Sequence, residues 1–85
     1  MLRSLETVQS ELRRYITSRY LPGEDPERLD DDLELQASGV LNSINTLELV
    51  QHLETTYGIS MTAHEIATRL STIRSIAALV VERST

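Results

Sequence analysis

With 85 residues and no cysteine, the chain is expected to be a single domain over residues 1–85, without disulfide staples or cysteine-ligated zinc, held by apolar packing alone. Thirteen acids face eight basic residues, all arginine, and the net charge of -5 disfavours nucleic acid and suits basic protein partners. No basic leader precedes an apolar stretch and no apolar run approaches the ~18 residues of a membrane span, so a soluble, cytoplasmic monomer is expected.

From Leu2 to Tyr20, apolar residues recur at Leu2, Leu5, Val8, Leu12, Tyr15, Ile16 and Tyr20, the stripe of an amphipathic helix. Ser4 is placed to cap it and Pro22-Gly23 to end it. Residues 21–42 form a long connection broken by Pro22, Gly23, Pro26 and Gly39. Seven of the thirteen acids lie here, between Glu24 and Glu34, and read as a solvated loop. Leu29, Leu33, Leu35, Val40 and Leu41 are available to pin the loop to a core.

A second helix is predicted from Ser43 to Tyr57, with Ile44, Leu47, Val50, Leu53 and Tyr57 at helical spacing and Leu49 widening the stripe. Gly58 suits the position just past its end. Thr62 and Glu65 have the spacing of a capping box and open a short third helix, Ala63 to about Arg69. Ile73, Ile76, Ala77, Val80 and Val81 make a last helix, capped by Ser71 or Thr72. The fold class is therefore all-α: a four-helix bundle with three longer helices, a short third one and a long first loop.

Ser43 stands at the head of the second helix. A serine there can be a cap, accepting a bond from an orphan amide. It can equally be an attachment point for a phosphate ester, which a helix N-terminus favours. Pattern alone favours the cap.

The wider stretch "LELQASGVLNSINTLELVQHLETTYGI" closely resembles the heart of acyl carrier and peptidyl carrier proteins. Their signature is a glycine, two or three residues, then Asp-Ser-Leu at the head of the second helix. Gly39, Val40, Leu41, Asn42, Ser43 and Ile44 fill those places. The resemblance implies that Ser43 carries 4'-phosphopantetheine, whose thiol holds a cargo as a thioester. It implies a phosphopantetheinyl transferase, a loading ligase or acyltransferase and downstream biosynthetic enzymes as partners. By position it picks out Ile44 as an apolar partner contact and Glu48 and Glu54 as acidic ones.

Asn42 replaces the family's aspartate, keeping a capping oxygen and losing a charge that could meet a metal or a basic residue during modification. The third helix, with one acid and one arginine, suits a dedicated amino-acid, peptide or polyketide pathway better than bulk fatty acid synthesis. Asn42 also supports a second reading, an unmodified carrier-like interaction module. An enzyme is not expected, because the other serines and threonines lack a visible base and orienting partner. Nor is a metal site: Glu48 and His52 share a helix face but HExxH is absent, and His64 reads as a surface residue.

Overall fold

A computed structural model describes residues 4–83. It contains four helices: α1 (Leu5–Tyr20), α2 (Ser43–Tyr57), α3 (Ala63–Arg69) and α4 (Ile73–Arg83). No strand occurs among the described residues. The helices start where side chains can satisfy orphan amides. The Ser4 hydroxyl accepts from the Thr7 amide at 3.1 Å, and Thr72 Oγ1 accepts from the Ser75 amide at 3.0 Å, which makes Thr72 rather than Ser71 the cap of α4. At the head of α3, Thr62 and Glu65 form the expected capping box. Leu2 lies outside the described residues.

The core is built from one face of each longer helix. α1 contributes Val8, Leu12 and Ile16, α2 contributes Leu49, Val50, Leu53 and Tyr57, and α4 contributes Ile73, Ile76, Ala77 and Val80. α1 packs most extensively on α4. α3 buries no residue fully, with Ile66 partly buried against the cluster, so it lies lightly on the bundle.

The long connection differs from expectation in two respects. Pro26 does not simply break structure: residues Pro26–Arg28 form a 3-10 turn with Asp25 as its cap and proline in its first turn, where its missing N–H costs nothing. The acidic run is also not wholly solvated. Arg13 holds Asp31 through two bonds of 2.6 and 2.9 Å, and Arg74 holds Asp32 at 2.7 and 3.2 Å. These pairs tie the loop to α1 and α4. Backbone bonds from the Leu35 amide to the Ser71 carbonyl (2.7 Å) and from the Arg74 amide to the Asp31 carbonyl (3.0 Å) fasten it further. Leu29, Leu35 and Leu41 are buried in the core, and Leu33 and Val40 pack against it.

Candidate functional site

Residues 34–42 deliver the chain to the head of α2. The Ser38 amide donates to the Glu34 carbonyl and the Gly39 amide to the Gln36 carbonyl, closing a turn. Gly39 has φ +87°, a left-handed conformation that any side chain would strain, although a Cβ there would meet nothing. The Leu41 amide then donates to the Leu35 carbonyl at 2.9 Å, so both leucines enter the core from one loop. With Leu41 buried, the next residues emerge at the surface.

Asn42, not Ser43, is the cap of α2. Its Oδ1 accepts from the Ile44 and Asn45 amides, each at 2.9 Å. Asn45 answers through its own Oδ1, which accepts from the Asn42 amide at 2.6 Å, while its Nδ2 donates to the Val40 carbonyl at 3.0 Å. Asn45 therefore ties the loop before Ser43 to the helix after it. Its part was missed in the sequence, although Asn-x-x-Asn has the same spacing as Thr62-x-x-Glu65. Ser43 is left exposed in the first turn, and its hydroxyl makes no hydrogen bond among the described residues. The cap and the free hydroxyl are two different residues.

An open cleft of about 590 Å³ adjoins Ser43, lined by Leu41, Thr46 and Leu47, by Gln36 of the loop, and by Ile66 and Ala67 of α3. Ile44 is 81% exposed and Leu47 63%, so the apolar stripe of α2 is wider than the face it buries. Leu47, although in the helical stripe with Val50 and Leu53, stays outside the core.

On the α1 edge of α2 the acids are engaged. Glu48 pairs with Arg19 at 2.8 Å and accepts from the Tyr20 hydroxyl at 2.9 Å, which also lies 3.3 Å from the Asn45 carbonyl. The Arg19 contact, then the Tyr20 hydroxyl, holds the Glu48 carboxyl below its ordinary range, and burial, followed by the neighbouring Tyr15 and Glu48, raises the Tyr20 phenol. His52 stacks flat on Tyr15, ring centroids 3.7 Å apart, and its Nδ1 lies 3.2 Å from the Thr56 hydroxyl. Partial burial and then the Arg19 charge push its imidazole below the usual value. One turn on, the Tyr57 hydroxyl donates to Glu11 at 2.7 Å. Glu54 accepts from the Met61 amide at 3.1 Å. His64 stands exposed in the first turn of α3. No group of three or more His, Cys, Asp or Glu with metal-binding geometry occurs among the described residues.

The arrangement suits a covalent phosphodiester better than catalysis. The donor set at Ser43 is a free hydroxyl beside a helix N-terminus, with no acid in the first turn to compete with an added phosphate. Residues 19–80 match the family described as "Phosphopantetheine attachment site", and the chain belongs to that family, the acyl and peptidyl carrier proteins. Its members carry covalently attached 4'-phosphopantetheine on a serine. A solved structure described as "Structure of KstB-PCP(apo)" is similar at TM-score 0.73 and 27% identity, covering 93% of this chain and 88% of that one. No curated protein matches the chain. Among the described residues no helix is long and apolar enough to cross a membrane.

Proposed function

We propose that this carrier protein bears 4'-phosphopantetheine on Ser43 and presents a thioester cargo, without catalysis of its own, to the enzymes of a dedicated amino-acid, peptide or polyketide pathway. The observation that carries the proposal is the division of labour at the head of α2: Asn42 and Asn45 do the capping, and Ser43 keeps a free, exposed hydroxyl. Once bound, the arm supplies a flexible thiol as the point of cargo attachment. The protein's own part is to hold Ser43 at a fixed place, where the partial positive charge of the helix end favours a phosphate.

Asn42 is compatible with this role. It supplies the capping oxygen an aspartate would, and it adds no negative charge next to the phosphodiester. Support for the specialised pathway is the peptidyl-carrier neighbour together with a third helix whose one acid and one arginine are both paired within the chain. The partners are a phosphopantetheinyl transferase, a loading ligase or acyltransferase and the enzymes downstream. Ile44, next to the arm, is a contact for them.

Incubation of the apo protein with coenzyme A and a promiscuous phosphopantetheinyl transferase, read by intact mass, tests the proposal. The parent gains one phosphopantetheine and Ser43→Ala gains none. A folded parent that gains nothing would instead favour the unmodified interaction module, and Asn42→Asp would then show whether the lost charge is the reason.

A further inference from the structure

We propose that Tyr20 is a positioning residue for the modification of Ser43: its hydroxyl, on α1, clips the first turn of α2 and so holds the Ser43 oxygen where a transferase can use it. This rests on Ser43 being the attachment site. The head of α2 has little packing to hold it. Leu41 before it is buried and Leu49 is the first buried residue within it, and nothing in residues 42–48 between them is buried. Helix ends fray unless something fastens them, so polar contacts decide how firmly Ser43 is held.

Those contacts meet at Asn45. Its amide and its Oδ1 bond to Asn42, its Nδ2 donates to the Val40 carbonyl, and its own carbonyl lies 3.3 Å from the Tyr20 hydroxyl. The bonds to Asn42 and Val40 are local and move with the turn. Tyr20 adds a point on another helix, 25 residues away in sequence. The phenol is itself held. Glu48, on the next turn of α2, accepts from it at 2.9 Å, Arg19 pairs with that carboxylate at 2.8 Å, and the Tyr15 ring packs edge-on with centroids 6.1 Å apart. Because the phenol is raised, first by burial, it stays a hydrogen-bond donor at neutral pH.

In the transfer, Ser43 Oγ attacks the phosphorus of coenzyme A that bears the pantetheine. The serine O–P bond forms and the P–O bond to the adenosine bisphosphate breaks, its electron pair leaving with that group. The serine proton passes to a base on the transferase. Such an attack needs its oxygen held within a narrow range, and a misplacement of about 1 Å can cost ~10²-fold in rate. Tyr20 acts on this geometry through Asn45.

Steady-state modification of the apo protein by a promiscuous transferase and coenzyme A, read by intact mass, compares Tyr20→Phe with Tyr57→Phe. Each variant loses a hydroxyl that donates to a carboxylate across the α1–α2 seam, but Tyr57 is the last residue of α2. Thermal melts should therefore shift by similar amounts. Tyr20→Phe should lower kcat roughly fivefold with KM within about twofold of the parent's, and Tyr57→Phe should change neither. Backbone amide exchange should quicken at Ile44 and Asn45 in Tyr20→Phe and not in Tyr57→Phe. An unchanged kcat in Tyr20→Phe, an equal fall in both variants, or a rise in KM alone would each overturn the positioning role while leaving Ser43 as the carrier site. A folded parent that accepts no group would overturn the reading of Ser43, and this role with it.

Discussion

Along the edge that α2 turns to α1, Glu48, His52 and Tyr57 each reach a partner on α1: Arg19 and Tyr20, then Tyr15, then Glu11. Along the edge beside α3, Ser43 and Leu47 face an open cleft, and Ile44 stands in solvent. Polar side chains therefore fasten the helix on one side, while apolar ones and a free hydroxyl are left available on the other. Placing long polar side chains across the α1–α2 seam keeps the head of α2 in register. The Tyr20 hydroxyl, beside both Glu48 and the Asn45 carbonyl, links that seam to the turn that holds Ser43. On this helix Glu48 is held within the chain, while Ile44 and Leu47 stay outside the core that Leu49, Val50, Leu53 and Tyr57 build.

Removing what both edges share should have the largest effect. Leu53 is fully buried beneath α2, and Leu53→Ala should cost about 2–5 kcal/mol in denaturant unfolding by leaving a cavity in a small core. Modification at a temperature where the variant still folds should persist. Loosening the α1 edge alone is milder. Tyr57→Phe removes the hydroxyl bound to Glu11 and should cost about 0.5–1.5 kcal/mol, with no change in modification rate.

The smallest effect is a pH dependence on the same edge. His52 in the folded chain is held below the ordinary imidazole value of 6.5. The unfolded chain then takes up its proton first as the pH falls, so stability is greatest above that value and declines below it. The groups facing His52 are Tyr15, Arg19 and Glu11 from α1, with Thr56 on its own helix. Chemical denaturation at about pH 7.5 and about pH 5.5 should show a loss on acidification that is smaller in His52→Gln than in the parent. An equal loss in both would show that the stack does not resist protonation.

Much of this arrangement was legible in the sequence because its causes are local. The bounds of α2 follow from the Asn42-Ser43 start and Gly58, which takes φ +66° at its end. The capping box of α3 was visible as Thr62-x-x-Glu65, and the loop leucines as pins because a connection this long needs its own apolar residues to hold it. What escaped depends on distant neighbours. Helical spacing put Leu47 in the same stripe as Val50 and Leu53, and only the placement of α3 decides that Leu47 stays uncovered. Asp32 meets Arg74 across 42 residues, and no local pattern signals such a pair. The contacts of Glu48 with Arg19 and Tyr20 are likewise made only by the fold. The reading of Ser43 as the attachment residue rests on the resemblance of its surroundings to the carrier signature. That Asn42 and Asn45 share the capping, leaving the hydroxyl free, emerged only from the geometry.

The central claim is the assignment of the arm to Ser43, and fragment-ion mapping of the modified protein tests it most directly. The account predicts a single phosphopantetheine localised to Ser43, carried by none of the other serines or threonines. Localisation to a different side chain, such as Ser38 in the preceding turn, would contradict it.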